Sequence, residues 1–267
     1  MSGQVLLAFS GQTAHVTLSH AGKFNAMSRA MWQQLRAVFE ELQKSSVDVV
    51  RCVLLQGANG HFCAGGDISE YADFRFQEAS LRDFHENDVW GGLQAMLDCD
   101  LPIVALIEGN CMGAGVEIAS CCDVRLAAES ARFGAPIARL GFPMAPREAA
   151  LVARAVGELT AREMLLCATV LDAPEMKQRG FLNRVVDSAD LTRVARELCE
   201  RICSLAPAAA RQNKRTFRSN QPIAHESRDD HAMEFVADSM AQAYAYADSA
   251  EHREGVNAFI DKRVPVF

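Results

Sequence analysis

The chain has 267 residues, 49% of them hydrophobic and 23% charged, with a formal net charge of −7. That length can bury one large core with a small appendage, and scattered Lys and Arg under a negative balance exclude nucleic acid as a main partner. Apolar runs such as Leu101 to Ile107 are too short to span a bilayer, and nine cysteines with no Cys-x-x-Cys pair predict reduced, mostly buried thiols rather than a structural zinc site.

The N-terminus reads Met-Ser-Gly-Gln, without the basic-then-apolar pattern of a secretory signal, which predicts a cytoplasmic protein. Val5 to Phe9 and His15 to Ser19 read as strands joined by a turn at Ser10-Gly11-Gln12. Ser28 reads as an N-cap, since Met31, Leu35, Val38, Phe39 and Leu42 recur at helical spacing after it. Val49 to Gln56 reads as a buried strand closed by Gly57 and Asn59-Gly60. An irregular stretch follows from His61 to Asp67, then a polar segment helical near Leu81 to Leu97. Pro102 to Ile107 is a further apolar strand, followed by a glycine-rich turn, a short helix near Ala114 to Cys122 and a strand at Val124 to Ala127.

Strands separated by helices predict an α/β architecture. The second half turns helical at Ala145 to Val156, Thr160 to Cys167 and Pro174 to Arg179, with Gly180 as a C-terminal stop. Asn183 to Val186 is a brief strand, and from Leu191 onward the pattern is almost all helix. A composition shift at Ser204-Leu205-Ala206-Pro207 divides a core of residues 1–204 from a C-terminal helical region, 205–267. Arg211, Lys214, Arg215 and Arg218 share a helix face there, which predicts a solvated surface, with an anionic ligand contact as the alternative.

Two glycine-rich turns carry the chemistry: Phe62-Cys63-Ala64-Gly65-Gly66-Asp67 and Gly109 to Glu117. Each follows a buried strand, where small residues let the backbone approach a ligand closely. If helices begin at Gly66 and Ala114, their first N–H groups lack partners and suit a developing oxyanion. Glu117 lies three residues past Ala114 on the same helix face, among Val116, Ile118 and Ala119. A carboxyl desolvated there has a raised pKa suited to proton transfer near neutral pH. The alternative is a Glu117 paired with an arginine such as Arg125. Gly113-x-Gly115 fails as a dinucleotide turn because Ile118 occupies the third glycine position. His61 and His85 read as structural or surface histidines, and Arg147-Glu148 as an ordinary surface or interface pair.

The motif Phe62 to Asp67 resembles the first signature of the crotonase (enoyl-CoA hydratase/isomerase) superfamily, and Ile107 to Ala119 resembles the second. Cys122 to Ala127, Arg132 to Pro136, Lys23 to Met27 and Arg253 to Phe259 continue the likeness in order over nearly the whole chain. The resemblance implies a spiral of ββα units with a C-terminal helical region that mediates trimers, often stacked into hexamers. It implies a CoA thioester substrate, with coenzyme A part of that substrate and no separate cofactor. Gly66 and Ala114 carry over as backbone donors to the thioester oxygen, with Ala114 in place of the more usual glycine. Ala64, Asp67, Ile68 and Gly113 fall around that hole. Lys23 and Phe24 fall where the family contacts CoA, and Phe259 and Lys262 where it holds the adenosine part.

The chain departs from the hydratase pattern at one position. The first catalytic glutamate stands at Glu117, but the residue after Pro136, where hydratases carry the second, is Ile137. The leading expectation is a hydratase/isomerase-like lyase with Glu117 as the sole carboxylate acid/base. The alternatives are thioester hydrolysis, decarboxylation or C–C cleavage on the same scaffold, or an acyl-CoA-binding relative without catalysis. The acyl pocket is expected to draw on Ile68 to Trp90.

Overall fold

The computed structural model describes residues 2–219 and 244–267. An antiparallel hairpin of β1 (Gln4–Ser10) and β2 (Thr13–Ser19) starts the main sheet. β3 (Cys52–Gly57) and β4 (Ile103–Ile107) add to it in parallel. β5 (Asn110–Met112) leaves for a second sheet, while β6 (Val124–Ala128) continues the first. β7 (Arg132–Gly134) and β8 (Val170–Asp172) join β5, and β9 (Arg184–Val186) completes six strands in the order β1-β2-β3-β4-β6-β9. Every residue of β4 is buried, as befits a central parallel strand covered on both faces. The α/β class expected from the alternation of strands and helices is the one observed.

Helix α1 (Arg29–Gln43) starts where the sequence placed it, with the Ser28 side chain accepting a hydrogen bond from the Met31 N–H at 3.3 Å. It buries Met31, Trp32, Leu35, Phe39 and Leu42 against the sheet, each contributing ~1.5–3 kcal/mol relative to exposure. The next helical stretch runs through α2 (Tyr71–Phe74), α3 (Glu78–Asp83), a π-helical turn at Phe84–Val89 and α4 (Trp90–Asp98). In that turn the Trp90 N–H returns to the His85 carbonyl, five residues back. Then come α5 (Ala114–Ser120), α6 (Pro146–Val156), α7 (Glu158–Leu166) and α8 (Ala173–Gln178). Helix α9 (Ser188–Cys203) places Leu191, Ala195 and Cys199 in a second core with Leu54, Val104, Leu106 and Leu126 of the sheet.

Three expectations are corrected. The third strand begins at Cys52 rather than Val49, because the chain still turns at Val49, whose N–H bonds the Ser46 carbonyl and whose side chain is exposed. No helix begins at Gly66; the first helical turn there is Ile68–Glu70, capped by Asp67 through the Ser69 N–H. The basic face of α10 (Pro207–Ser219) is engaged by the core rather than left to solvent or a ligand, although Arg215 stays half exposed. Arg215 and Arg218 pair with Asp100 at 2.6 and 2.9 Å, Lys214 pairs with Asp123 at 2.8 Å, and Arg211 donates to the Ser45 carbonyl. These charges dock the helix on the core.

The expectation of helix continuing to the end is met at α11 (Ala250–Ile260), and residues 220–243 lie outside the described part. Among the described residues no helix is long and apolar enough to cross a membrane. All nine cysteines are free, and only Cys167 is fully exposed.

Candidate active site

The two glycine turns leave the C-terminal ends of β3 and β4, which are neighbours in the parallel sheet, so the turns emerge side by side. That edge is where open α/β sheets place ligands. Hydrogen bonds from the Cys63 N–H to the Asn110 carbonyl (2.8 Å) and from the Met112 N–H to the Cys63 carbonyl (2.9 Å) tie one turn to the other. Gly113 takes φ +48° and lies against the Cα of Gly65; a Cβ on Gly115 would stand 2.6 Å from the Cys63 carbonyl oxygen. Only glycine lets α5 close this far on the neighbouring loop.

Gly66 pairs with Met27 in a parallel bridge. The flanking groups make its bonds: the Met27 N–H donates to the Gly65 carbonyl and the Asp67 N–H to the Met27 carbonyl, both at 2.8 Å. The Gly66 N–H is therefore turned to the other side. Ala114 is the first residue of α5, so its N–H has no intrahelical acceptor. Among the described residues neither amide donates a hydrogen bond, and both residues line one cavity of about 310 Å³.

Glu117 lines the same cavity and is 9% exposed. Burial pushes its carboxyl up to about 8, and the charge of Glu148 adds to the effect, while no cation or donor opposes it. Arg125, the alternative partner, instead donates to the carbonyls of Phe181, Ala119 and Cys122. A carboxyl raised to about 8 keeps its proton at neutral pH, and with two amides lacking acceptors in the same cavity the arrangement can stabilise a developing negative oxygen and move a proton near it.

Of the remaining expected residues, Ala64, Ile68, Gly113 and Ile137 line the cavity. Asp67 stands behind the wall as a helix cap and ion-pairs with Lys23 at 2.6 Å. Phe24 is half exposed and packs on His61 with ring centroids 4.5 Å apart. Phe259 and Lys262 belong to the C-terminal end and do not reach the cavity within this chain; Phe259 is 86% exposed. The stretch from Ile68 to Trp90 does supply the pocket, through Tyr71, Arg75, Phe84, His85 and Val89.

Sequence reasoning missed a polar group at this cavity. Glu148 is no surface residue: it is 2% exposed, and its Oε1 stands 3.1 Å from His85 Nδ1. His85 and Arg75 line the cavity, and Arg75 is stacked 3.6 Å from the Phe142 ring centroid. The helical placement of His85 was legible, but its partner lies 63 residues away with no local signal.

The family profile of enoyl-CoA hydratase/isomerase matches residues 9–267. A probable enoyl-CoA hydratase of Mycobacterium bovis is 31% identical over 258 residues, covering 94% of this chain and 93% of that protein. The short-chain-enoyl-CoA hydratase of Clostridium acetobutylicum is 28% identical over 259 residues, covering 97% and 95%. A crystal structure of an enoyl-CoA hydratase/carnithine racemase from Magnetospirillum magneticum superposes with a TM-score of 0.89 at 31% identity, covering 98% of this chain and 94% of that one.

Proposed function

The chain belongs to the enoyl-CoA hydratase/isomerase family, and on that premise we propose that it is an acyl-CoA enzyme which holds a thioester enolate on the Gly66 and Ala114 amides while Glu117 moves the proton at the α-carbon. One observation carries the reading: among the described residues, two backbone N–H groups without acceptors and a buried carboxyl with a raised pKa line one cavity. Losing a single oxyanion donor typically costs ~3 kcal/mol of barrier, so the amides supply the larger share and Glu117 the proton. Ala114 serves as well as glycine because its amide, not its side chain, is the donor.

Coenzyme A would then be part of the substrate, with no further cofactor used in proton transfer. A trimeric or hexameric assembly is part of the proposal, supported by the exposed Phe259, Ile260, Val264 and Val266 at the C-terminal end, an apolar surface that association would cover. Ile137 in the cavity wall favours a second reading, in which the same enolate serves decarboxylation or C–C cleavage; analysis of products from a panel of acyl-CoAs separates the two.

The direct test is deuterium wash-in at the α-carbon of butyryl-CoA. The native chain is expected to exchange, and Glu117→Gln to lose exchange by ~10²–10⁴-fold while still binding the ester. Undiminished exchange in that variant removes Glu117 from the role.

A further inference from the structure

Adding water across an α,β-unsaturated thioester needs two proton-handling groups, one for the water and one for the α-carbon. Ile137 supplies neither, so Glu117 alone leaves the reaction one group short. The lining of the cavity holds a second candidate. His85 sits in the π-helical turn and lines the cavity with its side chain 24% exposed. Behind it, Glu148 in the first turn of α6 is buried and is not part of the cavity wall.

The contacts assign the ring's tautomer. His85 Nε2 lies 3.4 Å from an Arg75 guanidinium nitrogen. Arginine offers only donors, so Nε2 carries the lone pair and Nδ1 carries the proton. That proton is donated to Glu148 Oε1 at 3.1 Å. A carboxylate thus fixes one ring nitrogen, and the other faces Arg75, which lines the cavity beside His85. This is the base-plus-orienter arrangement by which enzymes activate a hydroxyl or a water. His85 lies in the π-helical turn, and such turns recur at functional positions. The charged groups facing the ring are Glu148 from α6 and Arg75 from the segment after α2, with Glu117 of α5 lining the same cavity.

We propose that His85 is a catalytic base of this cavity, held by Glu148 as its positioning residue, and that it takes the water-activating part which Ile137 cannot play. The proposal rests on the enolate reading above. In the step, a water displaces the 3.4 Å Arg75 contact at His85 Nε2 and gives that nitrogen a proton as the water oxygen bonds the β-carbon. The electron pair of the α,β double bond moves into the thioester enolate, whose oxygen is held by the Gly66 and Ala114 amides. Glu117 then gives its proton to the α-carbon as the enolate collapses. The imidazolium loses its proton to solvent and Glu117 regains one, which restores the starting state. Dehydration is the same path reversed. A merely structural His85–Glu148 pair would hold α6 in place and affect every reaction of the cavity alike.

The experiment compares two reactions of the purified full chain: hydration of crotonyl-CoA, followed by loss of enoyl absorbance, and α-proton exchange of butyryl-CoA in deuterated water. Exchange needs the amides and Glu117 but no water addition. His85→Gln is expected to lower the ratio of hydration to exchange by ~10²-fold, and Glu148→Gln by ~10-fold with KM little changed and partial recovery in Glu148→Asp. A His85→Gln protein that hydrates as the native chain does, or that loses both reactions in parallel, overturns the assignment. A native chain that exchanges but does not hydrate crotonyl-CoA or longer 2-enoyl-CoAs also overturns it while leaving the enolate reading intact. A native chain with no exchange removes the enolate reading itself.

Discussion

Two carboxylates of this molecule are buried almost equally and behave in opposite ways. Asp100, 2% exposed, sits under α10 with Arg215 at 2.6 Å, Arg218 at 2.9 Å and the Gln43 amide at 3.1 Å. Burial alone would push its carboxyl up, but these partners outweigh it and hold it below the ordinary aspartate value. Glu117, 9% exposed, has no such partner, and burial pushes it up to about 8. Desolvation raises both, more strongly at Glu117, and only around Asp100 does the fold supply the compensating charge. Around Asp100 the polar groups satisfy one another, and the result is a docked helix. Around Glu117 the Gly66 and Ala114 amides are also without acceptors among the described residues, and the result is a cavity lined by unmatched polar groups. Missing partners, more than burial, separate a site from a scaffold.

The strongest break of that contrast is at the cavity. Gly115→Ala puts a methyl 2.6 Å from the Cys63 carbonyl oxygen, a backbone atom that cannot turn aside. The helix start carrying the Ala114 amide must then move off the neighbouring loop. A displacement of that kind is expected to lower α-proton exchange by ~10²-fold, with a stability loss of ~1–3 kcal/mol measured by urea denaturation. On the scaffold side, Asp100→Ala strips the shared acceptor from Arg215 and Arg218. It is expected to cost ~2–3 kcal/mol of stability, with activity per folded molecule unchanged. If Asp100→Ala instead left stability intact and removed activity, the division into scaffold and site would fail.

The two carboxyls also give stability opposite pH dependences. Asp100 has a lowered folded value, so its contribution is present above the ordinary aspartate range and is lost as pH falls through the depressed value. Glu117 has a raised folded value, so its contribution is full below the ordinary glutamate range, near 4.5, and is lost as pH climbs to about 8. One such group changes stability by at most ~1.4 kcal/mol per pH unit. Denaturation curves between pH 5 and 9 are therefore expected to show declining stability in the native chain and a flatter profile in Glu117→Gln. Parallel profiles would show that Glu117 is not held neutral by the fold.

The legible parts of this chain were those written in local pattern. Ser28 and the spacing of Met31, Leu35, Phe39 and Leu42 gave α1, and the glycines flanking apolar strands gave both turns. Glu117 could be singled out because its neighbours on the helix are apolar. What escaped depends on pairing between distant segments. Strands β5, β7 and β8 have three residues each, too few to show alternation, and exist because they bond one another. The Gly66 amide is free because of Met27 across a bridge, not because a helix starts there. The basic face of α10 looked solvated since Asp100 and Asp123 lie far back in the chain. Glu148 looked like a surface charge until His85 was found against it.

Lys23 gives the smallest and most finely balanced test, because it stands between the two kinds of region. Its side chain is 41% exposed, and the ammonium bonds Asp67 at 2.6 Å and the Ser69 hydroxyl at 2.7 Å. Family resemblance puts this lysine at coenzyme A, whereas the geometry gives it a scaffold partner like those of Asp100. With a carboxylate already at hydrogen-bond distance, the lysine's field on an incoming phosphate is largely cancelled. Asp67 does not depend on it alone: although burial opposes ionisation, Lys23 together with the Ser69 hydroxyl and N–H keeps the carboxyl below its ordinary value. Lys23→Met is therefore expected to cost no more than ~1 kcal/mol in thermal denaturation and to raise KM for a CoA ester less than ~3-fold, as for a partly exposed pair. A KM increase of ~10-fold or more, about 1.4 kcal/mol of lost binding, with stability unchanged would move Lys23 from the scaffold to the ligand side.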